Sequence, residues 1–457
     1  MRPVDSRYAA AIPVPTAGPD PQALPASGYD ILRRQLATIA VLGGLTFNAF
    51  LCFLNTNVMG IRESHVMLFE MALIGCAFLA ALGRRIDLYL VSALFLSYML
   101  LLFALRGAID LKALRDVLIP IGFYFMGTQV RDAKLADRLV AISIAIVLAF
   151  GLFEYFLTEL YLDVFNVLGY FIARGSLTLE ETFGATRGLF ISGLRPEPRT
   201  LLSFLGQHRV SSVFLEPVSA GNFGAIVFAW ALFRSDMRYR FAVMAAALAT
   251  VVLADARFGF YTCILMTLML PFYRLVARPI WIALPFLLLA LIAIYGLATG
   301  TEGGANDVAG RFKVTAAILT RLDLPVVLGI ATTDEFTADS GLAYTLTKFG
   351  LLGFVALWAM LVVAPFKDPK AWVFHSMVLI YLLLLMIISN SFFSIKTAAL
   401  LWFVLGTAHR VDWAGLSPRS PAPAGSPTGK AYAPAMTRPG LTATEAPGTK
   451  NRLPRNP

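Results

Sequence analysis

The side chains best suited to chemistry crowd into one stretch, Gln207-His208-Arg209-Val210-Ser211-Ser212-Val213-Phe214-Leu215-Glu216-Pro217. It sets an imidazole, a guanidinium and a carboxylate directly ahead of a long apolar run. A carboxylate at such a boundary is costly to bury, and its presence there marks a functional candidate. Glu216 has the chemistry of a general base toward a hydroxyl, and His208 that of a second proton carrier. The competing reading is that Glu216 pairs with a neighbouring arginine. Asn222 follows Glu216 on the same run.

Cations gather around this stretch. Arg174, Arg187, Arg195, Arg199 and Arg209 fall within 158–212, and Arg311, Lys313 and Arg321 fall within 298–340. Arg257 stands at the start of another apolar run. Guanidinium groups hold phosphate through paired, charge-assisted hydrogen bonds, so the group suggests an anionic ligand. Solvated surface or lipid-headgroup contact is the alternative for any single one. Arg311, Val314, Ile318 and Arg321 recur at helical spacing and predict a short interfacial helix that Pro325 should end. Asp339-Ser340-Gly341 then opens an apolar run containing Gly350-Leu351-Leu352-Gly353, whose small residues allow close helix packing.

The elements that must position these residues are transmembrane helices. The chain is 58% hydrophobic and only 14% charged, too apolar for a single aqueous core. Apolar runs lie at 35–54, 65–82, 86–105, 117–130, 139–157, 213–233, 241–253, 258–273, 280–297, 341–363, 371–388 and 395–406. They predict an all-α polytopic membrane protein of about twelve spans, with 117–130, 241–253 and 395–406 the shortest. The basic pairs Arg33/Arg34, Arg84/Arg85, Arg131/Lys134, Arg234/Arg238, Arg274/Arg278 and Lys367/Lys370, with Arg410 after the last run, all fall on one side. That regularity predicts cytoplasmic termini and places the loops 158–212 and 298–340 outside. It also accounts for the net charge of +10 without nucleic acid.

The predicted organisation is a disordered arm over 1–34, a membrane domain over 35–410 and a Pro-rich tail over 411–457. The arm lacks the apolar core of a signal peptide, and the tail lacks the apolar content to order itself. Cys52, Cys76 and Cys263 sit in apolar runs and read as buried thiols. His65, His208, His375 and His409 are scattered without metal-ligand spacing. Glu70 and Lys348 fall inside spans: Glu70 either pairs with another helix or lines a cavity, and Lys348 either snorkels or reaches a ligand. Glu154 and Asp255, near helix ends, are further base candidates.

An arginine, an interfacial helix, a Pro and Gly before the next span, Asp-Ser at its mouth and a Gly-Leu-Leu-Gly turn together resemble the O-antigen ligase and Wzy-type polymerase superfamily. The block from Arg209 to Glu216-Pro217 resembles its exopolysaccharide polymerases in particular. The likeness covers 207–224 and 255–353. It implies a metal-independent, cofactor-free glycosyltransferase joining oligosaccharide units carried on undecaprenyl diphosphate, at the outer face of the inner membrane. The catalytic candidates would be Glu216, Asp339 and His208. Arg209, Arg257, Arg311, Arg321 and Lys348 would hold the diphosphate. A flippase and a chain-length regulator would be partners, beside the lipid bilayer. Ligases of this superfamily usually carry His where this chain has Asp339, which favours the polymerase. A flippase or exporter would call for paired broken helices near the midplane, which the sequence does not show, and would leave the two Arg-bearing loops unexplained; a related glycan ligase is the second alternative and a membrane scaffold the last.

Cysteines introduced into 158–212 and 298–340 are expected to react with impermeant reagents added outside the cell. Reaction from the cytosol alone would remove an exterior site.

Overall fold

The structure, a computed structural model, describes residues 28–178, 188–194, 199–273, 275–300, 308–320, 323–330 and 340–413. Arg187, Arg195, Arg274, Arg321 and Asp339 lie outside the described residues, as do most of the predicted arm and tail.

The described chain is all-α. Its helices are α1 (Gly28–Asn57), α2 (Glu63–Ala81), α3 (Ile86–Arg106), α4 (Leu111–Val130), α5 (Ala133–Phe156), α6 (Thr158–Val164), α7 (Val167–Ala173), α8 (Pro217–Phe233), α9 (Arg240–Leu253), α10 (Arg257–Met269), α11 (Arg278–Thr299), α12 (Val308–Thr320), α13 (Leu324–Leu328), α14 (Gly341–Val363), α15 (Ala371–Ile388) and α16 (Ile395–Arg410). Each predicted apolar run coincides with one of them. Seven, namely α1, α2, α3, α5, α11, α14 and α15, are long and apolar enough to cross a bilayer. Large side chains such as Leu90, Leu94 and Leu101 on α3, and Leu287, Leu291 and Ile294 on α11, face outward. A bilayer is the solvent such faces require, and helices satisfy their own backbone groups within it. The protein is membrane-embedded.

Local signals explain the helix ends. Asp110 and Asp132 cap α4 and α5 by accepting backbone N–H groups, and the Ser340 hydroxyl does the same for α14. Pro217 opens α8, where its missing N–H costs nothing. The run 117–130 belongs to a longer helix, because α4 begins at Leu111 and carries Lys112, Arg115 and Asp116 in its first turns.

Helices α4 and α16 run side by side in the same direction at the centre of the bundle. Gly127 and Gly406 make this possible: a Cβ on Gly127 would overlap the Phe403 carbonyl oxygen, and one on Gly406 the Tyr124 carbonyl oxygen. Backbone meets backbone there, the close approach small residues permit in membranes.

One expectation needs correction and another is extended. Pro325 does not end the interfacial helix. The helix α12 stops at Thr320, and Pro325 sits in the first turn of the separate short helix α13, where a proline is tolerated. Gly350 is also more than a small packing residue. It takes φ +68° and breaks α14, freeing carbonyls of the preceding turn. Arg106 donates to the Thr347 oxygen at 3.0 Å and the Lys348 oxygen at 2.8 Å, and Tyr98 donates to the Phe349 oxygen at 2.5 Å. Arg106 also holds the Gly329 carbonyl, whose backbone packs against Gly350. An apolar cavity of about 70 Å3 lies by this break, lined among others by Thr345, Phe354, Trp358 and Trp402.

Gly406→Val is expected to destabilise the detergent-solubilised protein by about 1–3 kcal/mol, the usual cost of overpacking. The measurement is a thermal melt. An unchanged midpoint would show that the α4–α16 contact is loose.

Candidate functional site

Three buried-charge clusters occupy the end of the bundle where α4, α8, α14 and α16 begin. The first centres on Glu216. As the residue preceding α8, it is delivered by the turn Ser212–Phe214, and its side chain remains 24% exposed. Lys396, in the first turn of α16, donates to Oε2 of Glu216 at 2.5 Å, and the Ser219 hydroxyl donates to the same oxygen at 3.1 Å. One carboxylate oxygen is thus fixed by two donors, and Oε1 is left for a further contact. Burial alone would raise this carboxyl; the Lys396 ammonium and its hydrogen bond, with Arg174 and Ser219, hold it below the ordinary carboxylate value.

The second cluster joins α2, α4 and α14. Arg115 bridges Glu70 at 2.5 Å and Asp116 at 2.7 Å. Tyr344 donates to the other Asp116 oxygen at 2.5 Å, and the Lys112 ammonium lies 5.9 Å from the centre of the Tyr344 ring. Arg174, at the end of α7, lies within electrostatic reach of both Glu70 and Glu216 and stacks on Phe171 at 4.6 Å. It therefore links the two clusters. Lys348 belongs to neighbouring packing: it pairs with Asp110, the α4 cap, at 2.7 Å.

The third cluster holds His208. Its Nε2 lies 3.1 Å from Oε1 of Glu154, and its ring stacks on Tyr155. Glu154 is fully buried and also accepts the backbone N–H groups of Ser211 and Ser212. These bonds hold a strained turn, with Ser212 at φ +53° and Leu215 at φ +61°, immediately before Glu216. Glu154 is a positioning residue for the carboxylate that follows.

Arg209 is buried, and its guanidinium donates to the carbonyls of Ala254 and Ser192, each at 3.1 Å. Arg199 grips the Val252 and Leu253 carbonyls, and Asp255 accepts the Leu201 N–H at 2.7 Å. Arg209, Arg199 and Asp255 thus staple the loop onto the turn between α9 and α10. Arg257 is exposed at the start of α10, and Arg311 is half-buried on α12. The Thr315 hydroxyl ties α12 to Ser340 at 2.8 Å.

Sequence reading missed Arg115, Asp116, Tyr344 and Lys396. Their signal was present as ionisable residues at the rims of apolar runs. It also took the histidines as scattered, whereas His375 and His409 share a hydrogen bond of 2.8 Å, and His409 meets the Tyr124 hydroxyl at 2.8 Å. Cys52 and Cys263 are buried and Cys76 is half-buried, all as free thiols. No group of three or more His, Cys, Asp or Glu among the described residues is placed to hold a metal ion. No family model, curated protein or solved structure matches the chain.

Lys396→Ala strands a largely buried carboxylate and is expected to cost up to about 3 kcal/mol, the lower range for a broken buried pair. Adding Glu216→Gln should recover most of it. Because the carboxyl of Glu216 is depressed on folding, the pair contributes stability above the unfolded value of 4.5 and loses it as pH falls through the lower folded value. Thermal melts of wild type and Glu216→Gln should therefore differ at neutral pH and converge in acid. A constant difference across pH would show that Glu216 carries no charge in the fold.

Proposed function

We propose that this chain is a polymerase that joins undecaprenyl-diphosphate-linked oligosaccharide units into an exopolysaccharide or O-antigen-like polymer. It works at the periplasmic face of the inner membrane, with both termini cytoplasmic. The observation that carries the reading is Glu216: a carboxylate with one oxygen anchored by Lys396 and Ser219 and the other open, set among cations from separate helices. The sequence likeness of 207–224 and 255–353 supports the same assignment.

The chemistry is glycosyl transfer. A hydroxyl of the acceptor unit attacks the anomeric carbon of the donor glycan. The new carbon–oxygen bond forms as the bond to the diphosphate oxygen breaks, and undecaprenyl diphosphate leaves with the electron pair. Glu216 receives the hydroxyl proton. Paired with Lys396 its carboxylate is a weak base. An arriving diphosphate competes for Lys396, and a carboxylate released from its ammonium regains ordinary basicity. Cations that neutralise the diphosphate make it a better leaving group. Lys396 contacts Glu216 and Arg174 lies within its electrostatic reach, and Arg257, Arg311, Arg321 and Lys348 would be further contacts of the diphosphate. His208, oriented by Glu154, and Asp339 are the alternative bases.

The second reading is a flippase or exporter of lipid-linked sugars, favoured by the break in α14 at Gly350. Among the described residues the helix-internal prolines supply no counterpart: Pro120 lies inside α4 and Pro285 inside α11, and both helices continue past them. A ligase acting on finished polymer is the third.

Cells without the gene for this chain are expected to accumulate single lipid-linked units outside and to lack polymer. Absence of outward-facing units would favour the flippase, and intact polymer without ligation the ligase. Glu216→Gln and Arg311→Ala should leave inserted protein and abolish polymer. Arg209→Ala should instead reduce folded protein, because it removes a staple. Wild-type polymer from Glu216→Gln would overturn its role as base.

A further inference from the structure

The opposite end of the bundle carries a second cation cluster that the proposed reaction does not use. Arg85 precedes α3, Arg131 ends α4, and Arg410 is the last residue of α16. Lys396 and Arg410 lie on the same helix about 21 Å apart at 1.5 Å per residue. This cluster is therefore remote from Glu216.

Its charge balance is lopsided. Asp87 is the carboxylate shared by two of the arginines: Arg85 Nε contacts it at 3.0 Å, and Arg410 Nη2 lies 3.6 Å away. Arg131 Nε donates to the Thr128 carbonyl at 3.0 Å. The nearby carboxylates are engaged elsewhere, Asp132 with Arg34 and Asp412 with Lys367. Three donor atoms here, Nη1 of Arg85, Nε of Arg410 and the amide nitrogen of Gln129, are buried without a hydrogen-bond partner. Gln129 is held against Gly83, in the turn just ahead of Arg85. Arg131 and Arg410 stand at the ends of the packed helices α4 and α16. Burial first, and then the nearby Arg410 and Arg131 cations, hold the Arg85 guanidinium below its ordinary value.

Like charges held together with idle donors call for an anion. A phosphate has the charge and the acceptor oxygens to satisfy several guanidinium donors at once. The three arginines stand at helix ends, the depth at which lipid phosphates lie, and basic pockets between transmembrane helices suit anionic headgroups. We propose that Arg85, Arg131, Arg410 and Gln129 form a phosphate site, filled by the headgroup of an anionic lipid or by free phosphate. Asp87 acts as its internal counter-ion in the empty state. A bound phosphate would tie together α3, α4 and α16, the last two of which reach the candidate active site with their other ends.

The test uses the full-length protein in detergent, with phosphatidylglycerol, phosphatidylcholine or inorganic phosphate as probe. Thermal midpoints and native mass spectrometry are the readouts. Phosphatidylglycerol should raise the midpoint and be retained, while phosphatidylcholine should not. Arg85→Gln, Arg131→Gln and Arg410→Gln should each weaken retention roughly tenfold, the worth of one charge-assisted contact. Asp87→Asn, which removes the competing carboxylate, should tighten it. Arg138→Gln, an exposed arginine on a neighbouring helix, should change it less than about twofold. Protection by inorganic phosphate equal to that by phosphatidylglycerol would support the site and identify free phosphate as its source. Protection by the lipid alone would support the headgroup. Equal retention of both lipids with no effect of inorganic phosphate, losses in Arg138→Gln as large as in Arg410→Gln, or weaker binding in Asp87→Asn would each overturn the proposal. Should Arg85→Gln fail to fold, Asp87→Asn and the exposed Arg131 variant still decide it.

Discussion

A charge removed from water without a partner is among the most costly features a membrane bundle can hold, and this fold is arranged around avoiding it. Glu216 from α8 meets Lys396 from α16, Glu70 from α2 meets Arg115 from α4, and Asp110 at the head of α4 meets Lys348 from α14. Each pair crosses between helices distant in sequence. Apolar packing alone is weakly directional inside lipid, since tails are as apolar as leucine. The ion pairs supply a register that packing does not, because a helix displaced by one turn would leave a carboxylate and a cation unpaired together. The backbone contact of Gly127 and Gly406 sets how closely α4 and α16 approach, and so lets Arg115 and Lys396 serve the same end of the bundle.

Rigid and interrupted parts are distributed in a consistent way around that end. The loop carrying His208 and Glu216 is pinned by Glu154, Arg199 and Arg209 through backbone groups, and it holds three non-glycine residues, Leu202, Ser212 and Leu215, at positive φ. Such strain persists only where the surroundings over-determine it. The other side differs. Helix α14 is broken at Gly350, its freed carbonyls are capped by Arg106 and Tyr98, and an apolar cavity adjoins the break. A fixed carboxylate beside a jointed helix suits the polymerase proposed above, which would have to admit a long lipid-linked substrate and still hold its reacting group still.

The sequence made the helices legible, because each apolar run folds as one, and seven of them are long and apolar enough to cross a bilayer. What it concealed were the partners. Lys396 and Arg115 sit at the rims of apolar runs, where a single charge is indistinguishable from an ordinary helix end. Their significance comes from the helix packed beside them, which no local pattern encodes. Arg209 misled in the opposite direction. Next to a candidate base it resembled a phosphate ligand, but Nε donates to the Ala254 carbonyl, 45 residues away, and Nη1 to the Ser192 carbonyl within its own loop. His375 and His409 were unreadable for the same reason, since only the packing of α15 on α16 brings their rings together.

Arginine thus plays two roles here, and partner type separates them. Arg106, Arg199 and Arg209 donate to backbone carbonyls, which fix their positions; they cap loop ends and a helix break. Arg115 is matched by two carboxylates and is neutralised within the fold. Arg85 and Arg410 are different again, with one aspartate between them and donor atoms left over. A carbonyl-bound arginine is explained by local geometry and a carboxylate-bound one by charge balance. An under-matched pair of arginines is explained by neither among the described residues, and that remainder is what the proposed phosphate would satisfy. By the same reasoning Lys396, matched through one oxygen of a half-open carboxylate, sits in a pair that an incoming anion can divide, whereas Arg115, held between Glu70 and Asp116, would resist it.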